Sequence, residues 1–176
     1  MVKPFPFSAG TLKALYDDEL RTVQANMQTS YIDRTHNAFY IEDERRSPDE
    51  NEALAAYYLI QKGISVKMTP EGIISFATAT KPDGTPKYSD GKVALYTFEQ
   101  KTIDISATNM VANYKNGIKH AVEKKAEIAV IFDRYGLGHR DQVETAMREY
   151  NPPSWGKLPK AVIVISRDGG VYEHHF

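Results

Sequence analysis

Leu12, Leu15, Tyr16, Leu20, Val23 and Met27 recur at helical spacing, which predicts an amphipathic helix over residues 9–28. The stretch from Gln28 to Arg46 is mixed and polar, with a short strand expected at Ala38–Ile41. Residues 1–46 therefore read as an N-terminal helical extension, and 47–176 as the main domain. Ser47-Pro48-Asp49-Glu50 offers an N-cap serine, a proline at the first helical position and an acid to close a capping box. With Gly63 as a stop, the pattern predicts a helix at about 48–62. Strand-like runs follow at Ile64–Met68, Gly72–Thr78 and Val93–Thr102, with turn chemistry at Lys81-Pro-Asp-Gly84. A helix is expected over Thr108–Lys125 and another over 139–150, ended by Asn151-Pro152-Pro153. Glu127–Phe132 and Ala161–Ser166 have the unbroken apolar character of central strands, and Val171–Phe176 closes the chain as a last strand. The order predicts an α/β fold, a mixed central sheet flanked by helices.

Composition narrows the chemistry. At 176 residues the chain suits one well-packed domain. A net charge of −1 excludes a polybasic tail or an acidic solvating chain as its theme. The charge is unevenly placed, however, with four lysines between Lys115 and Lys125. A near-neutral protein can present a basic strip beside an acidic cleft. With no cysteine, disulfides, thiolate catalysis and cysteine-bound zinc are excluded. No apolar run approaches the ~20 residues of a membrane span, and MVKPFPFSAG lacks the apolar core of a signal peptide.

The stretch SDGKVALYTFEQKT, residues 89–102, raises a question of energy. Side chains at i and i+2 of a strand share a face, so Glu99 and Lys101 project together, with Gln100 opposite. Burying either charge alone costs several kcal/mol. One solution is a salt bridge between the two. The other is an active site, because Asp90 lies just upstream and Glu52 sits in the first turns of the preceding helix. Three carboxylates and a lysine at a strand end make a hard-oxygen site for Mg²⁺ or Mn²⁺. An ion held by Asp90, Glu99 and a backbone carbonyl would activate water and neutralise a phosphodiester. Lys101 would orient that water and stabilise the pentacovalent transition state.

Glu52, then Asp90, then Glu99-Gln100-Lys101 resembles the PD-(D/E)XK nuclease superfamily, with Ser89 where that family often has proline. The nine-residue step from Asp90 to Glu99 suits two adjacent strands or one bent strand. More narrowly, EALAAYYLIQKGISVKM, FEQKT, NYKNGIKHAVEKKAEIAVIF and VIVISRDGGVYEHHF resemble the C-terminal nuclease domain of contact-dependent growth-inhibition (CdiA-type) toxins. Related domains end phage head-morphogenesis and mobile-element proteins. The resemblance implies a restriction-endonuclease-like fold and Mg²⁺- or Mn²⁺-dependent cleavage of tRNA. It also implies catalytic Glu52, Asp90, Glu99 and Lys101, an immunity protein as partner, and action in the cytoplasm of its own or a target bacterial cell, without a membrane span.

Other features have competing readings. Tyr114, Lys115, Lys119, His120, Lys124 and Lys125 fall on one helix, where Lys115 and Lys119 could meet phosphates or form a solvated face. Asn109 and Asn113 could line the cleft, or mark the helix start. The Arg134-Tyr-Gly-Leu-Gly-His139-Arg140 loop could hold a phosphate, with Arg140 assisting, but an ordinary strand–helix loop is the simpler reading. His174 and His175 read as surface, and Trp155 as a core aromatic rather than a stacking platform. Asp83, in a literal Pro-Asp, competes with Asp90 but suits a tight turn. The functional readings are a tRNA-cleaving toxin, a DNA endonuclease with the same residues, or a non-catalytic phage or mobile-element module. The chemistry at phosphorus does not separate RNA from DNA.

Overall fold

The computed structural model describes residues 30–176; the helix expected at 9–28 lies outside the described residues. Among the described residues, ten strands and three α-helices follow one another: β1 (Ser30–Asp33), β2 (Ala38–Glu42), α1 (Glu50–Gln61), β3 (Val66–Met68), β4 (Ala79–Thr80), β5 (Pro86–Lys87), β6 (Gly91–Val93), β7 (Tyr96–Thr102), α2 (Met110–Lys124), β8 (Ile128–Asp133), α3 (Arg140–Glu149), β9 (Ala161–Ser166) and β10 (Val171–His175). Eight strands form one mixed sheet in the order β1-β2-β3-β6-β7-β8-β9-β10, and β4 and β5 pair as a separate two-stranded hairpin. The parallel pairs are β2/β3, β7/β8 and β8/β9; the remaining pairs of the main sheet are antiparallel. Residues 30–42, assigned from sequence to the extension, thus supply two strands of the main sheet.

The two faces of the sheet separate the layers. Phe98, Val130, Phe132 and Ile163 pack with Leu54, Leu59 and Ile60 of α1 on one face. Ala129, Ile131, Val162 and Val164 pack with Tyr114, Ile118 and Val122 of α2 and with Val143 and Ala146 of α3 on the other. Because β8 and β9 are covered on both faces, their apolar runs lack alternation. Fully burying each such side chain contributes about 1.5–3 kcal/mol.

Four sequence expectations change. Val93–Thr102 is a hairpin, not one strand: Ala94, at φ 51°, turns β6 into β7. Gly72–Thr78 forms a short 3₁₀ turn, Ile74–Phe76, before β4. The N-cap of α1 is Asp49, not Ser47; its carboxylate accepts from Glu52 N while Glu52 Oε2 accepts from Asp49 N. Trp155 is exposed rather than packed in the core.

One glycine sets how closely β3 and β6 approach. A Cβ on Gly91 would lie 1.9 Å from the Lys67 carbonyl oxygen, so no side chain fits without moving β3. Gly91→Ala should destabilise the fold by at least about 2 kcal/mol by overpacking. Gly84→Ala in the β4–β5 turn meets open space at positive φ and should cost only about 1–2 kcal/mol. Urea midpoints of the two variants check this ordering, and an unchanged midpoint for Gly91→Ala would refute it.

Candidate active site

Glu99 sits mid-strand in β7 and is 5% exposed. Its register neighbour on β8 is Ala129, so it faces the α2 layer. Lys124, in the last turn of α2, reaches back with Nζ 2.9 Å from Glu99 Oε1. Glu99 Oε2 is buried with no hydrogen-bond partner. A carboxylate oxygen left in this state is costly unless something positive approaches it.

Asp90 lies beside it, one residue before β6, and is also buried. Its Oδ2 accepts from the Gln100 backbone N at 2.8 Å, and its Oδ1 lies 3.3 Å from Arg46 Nη2. The same guanidinium nitrogen donates to Glu52 Oε1 at 2.6 Å. Asp90 therefore stands between two ion pairs, Arg46–Glu52 from the α1 side and Lys124–Glu99 from the α2 side.

Burial is the largest influence on all three carboxyls and pushes each upward. Repulsion from Asp90 adds to it, so that Glu99 rises to about 8 despite Lys124, and Glu52 to about 7 despite Arg46. Asp90 is raised by its own burial, against the Gln100 amide, Lys124 and Arg46. Desolvation works against the charge of Lys124, but the pull of Glu99, Asp90 and Glu71 prevails and holds it protonated. Three acids are thus gathered where a net positive charge would be stabilised.

The structure brings Asp90 and Glu99 together as expected from adjacent strands. Two expectations are corrected. Glu99 pairs with Lys124, not with Lys101; Lys101 shares its face but lies under α2 near Gly117, whose lack of a side chain lets the helix settle there. Glu52 does not project freely into the site, because one oxygen closes the α1 capping box and the other holds Arg46. Asp83 accepts from Thr85 N in the hairpin turn, the turn role expected of it. Arg46 and Lys124 were missed as site residues. Lys124 had a signal, since a helix antiparallel to β7 returns its last turn over the strand's middle; Arg46, before the helix, had none.

The proposed phosphate-binding residues lie elsewhere and are already paired. Lys115 Nζ donates to Glu149 Oε2 at 2.7 Å, Lys119 lies 3.8 Å from Glu123, and Arg140 donates to Glu144. Asn109 caps α2, its Oδ1 accepting from Ala112 N. Beside Glu99 and Lys124 opens a cleft of about 260 Å³, walled by Glu71, Lys81, Lys87 and Tyr88 on one side and by His120 and Lys124 of α2 on the other.

Among the described residues, no three histidine, aspartate or glutamate side chains form a ready-made metal site. The carboxylates that could supply ligands to a divalent ion are Asp90 and Glu99, the latter through its unpartnered Oε2. Mg²⁺ needs few protein ligands, since it retains waters and takes phosphate oxygens.

No known protein family matches the sequence, and no curated protein matches it. Among solved structures, a chain of a CdiA-CT/CdiI toxin and immunity complex from Burkholderia pseudomallei has the same overall fold. The TM-score is 0.54 at 21% identity, covering 79% of this chain and 99% of that one.

Proposed function

We propose that the chain is a toxin-type, metal-dependent endoribonuclease that cleaves phosphodiester bonds in tRNA, built on the PD-(D/E)XK plan. The observation that supports it best is the buried Glu99 carboxylate, unsatisfied at one oxygen and paired with Lys124 at the other, set beside Asp90. The fold shared with a toxin–immunity complex agrees with this reading. It also makes an immunity protein a natural partner, because such a nuclease must be restrained in its own cell. Among the described residues no helix is long and apolar enough to cross a membrane.

Asp90 and Glu99 would hold Mg²⁺ or Mn²⁺, which when bound would supply an activated water and charge neutralisation at phosphorus. Lys124 pulls the Glu99 carboxyl towards its ionised form, against burial and Asp90. The Arg46–Glu52 pair and the Gln100 amide fix Asp90 in place. Lys101 donates hydrogen bonds to the attacking water and to phosphate oxygens, where negative charge grows in the transition state. Incubating the purified chain with total tRNA and with plasmid DNA, in Mg²⁺, Mn²⁺ or EDTA, tests the reading. Metal-dependent tRNA loss supports it, plasmid nicking alone supports a DNA endonuclease, and no cleavage of either rejects both.

Glu99→Gln should abolish cleavage. It should also change the pH dependence of stability. A carboxyl near 8 when folded, against an ordinary 4.5, binds more protons in the folded chain between those values. Stability is therefore lost as pH rises through that window. Relative to wild type, the variant should gain stability from pH 5 to about pH 8 and level off above it in denaturant titrations. A constant difference would show that Glu99 ionises normally.

The two lysines should separate by pH profile. Lys124→Ala removes the counter-ion of Glu99 and should move the rising limb of cleavage rate to higher pH. Lys101→Ala should depress the rate by orders of magnitude at every pH without moving that limb. An unshifted profile in Lys124→Ala would remove it from the site.

Glu52 has two roles that substitution can part. Glu52→Ala breaks the capping box and should cost about 1 kcal/mol of stability. Glu52→Gln can still close the box, so it should keep the urea midpoint yet lower cleavage at least about tenfold by unsettling Arg46 and Asp90. Wild-type rates in Glu52→Gln would reduce Glu52 to a helix cap.

A further inference from the structure

The cleft beside Glu99 is positively charged for a reason the acid cluster does not explain. Lys81 and Lys87 line its hairpin wall, and among the described residues neither has an ion-pair partner within 4 Å. The lysines and arginine predicted from sequence to bind phosphate, by contrast, are each engaged with a glutamate. The acids of the lining, Glu71 and Glu123, stand near Lys124 and Lys119 respectively. The walls are also tied together: Thr78 Oγ1 donates to the Lys124 carbonyl at 2.7 Å, anchoring the hairpin segment on the last turn of α2. Tyr88, half-buried, belongs to the same lining, and burial and Lys101 lower the pKa of His120.

We infer that this cleft binds an unpaired segment of nucleic acid next to the cut, with Lys81 and Lys87 on its phosphates and Tyr88 stacked against a base. The inference rests on the nuclease reading and names the form of its substrate. Unpaired lysines attract a polyanion through counter-ion release, with little sequence preference. An aromatic beside them is how proteins select splayed bases over a closed duplex. The cleft lies between the hairpin segment and the last turn of α2. It leads to the face on which Glu99 and Lys101 lie, because Lys124 belongs to both the cleft and the ion pair with Glu99.

Binding is measured apart from cleavage. Full-length Glu99→Gln protein in EDTA is titrated by fluorescence anisotropy against a labelled single-stranded RNA, the DNA of the same sequence, and the RNA duplex. Single strands should bind more tightly than the duplex. Adding Lys81→Ala and Lys87→Ala should weaken binding about tenfold or more and lower the salt slope by roughly one to two. Tyr88→Ala should weaken binding about fivefold or more, and Tyr88→Phe should restore it. Lys115→Ala with Lys119→Ala should leave binding unchanged. Preference for RNA or for DNA identifies the sugar, and either supports the cleft. Tighter binding of duplex, no binding of any strand at low salt, or loss only in the Lys115/Lys119 variant overturns it. A wild-type chain that binds through Lys81 and Lys87 but cleaves nothing would reject the nuclease reading alone. Cleavage untouched by Lys81→Ala and Lys87→Ala at sub-saturating substrate would reject the cleft alone.

Discussion

The carboxylate of Asp90 is the point at which the layers of this protein meet. One of its oxygens takes the backbone amide of Gln100, fastening the start of β6 to β7. The other faces Arg46, which also holds Glu52 in the first turn of α1. Its negative charge raises both Glu52 and Glu99. Gly91, the next residue, permits the close contact with β3 that puts Asp90 there. The sheet, the helix start and the acid cluster are thereby adjusted to one another through a single buried group.

Such an arrangement is poor for stability. Buried ion pairs recover their desolvation cost only when every lone pair is satisfied. Here Glu99 Oε2 and Arg46 Nε are buried without partners. A core of the same volume made from apolar residues would serve the fold better. The cations that accompany it, Arg46 and Lys124, sit one on each side and oppose the upward push of burial on the three acids.

The surface charges divide along the same line. Those on the outer faces of α2 and α3 are matched locally, Lys115 with Glu149 and Arg140 with Glu144, and so present little net field. Charges around the cleft are left unmatched at Lys81 and Lys87. Two unpaired lysines thus stand in the lining that also holds Lys124, the partner of Glu99.

Wherever local pattern and tertiary demand agreed, the sequence was legible. Capping residues and the Gly63 stop marked α1, unbroken apolar runs marked β8 and β9, and the E-x-K on β7 marked Glu99 as a charge out of place. The shared face of Glu99 and Lys101 followed from strand geometry alone. What periodicity could not reveal was the bend at Ala94, where a non-glycine residue takes positive φ because β6 and β7 pair across it. Nor could it say which cation neutralises which acid. Lys101 is two residues from Glu99, yet a pleated strand spaces them along the sheet, whereas Lys124, far along the chain, is returned to Glu99 by the antiparallel path of α2. Arg46 reaches Asp90 from 44 positions away for the same reason. The residue types and their order along β7 determined that this protein carries an acid site; only the packing of α1, α2 and the β4–β5 hairpin around that strand decided its partners and its open side. Ion pairs form by distance in space, and distance in space is what a linear sequence encodes least directly.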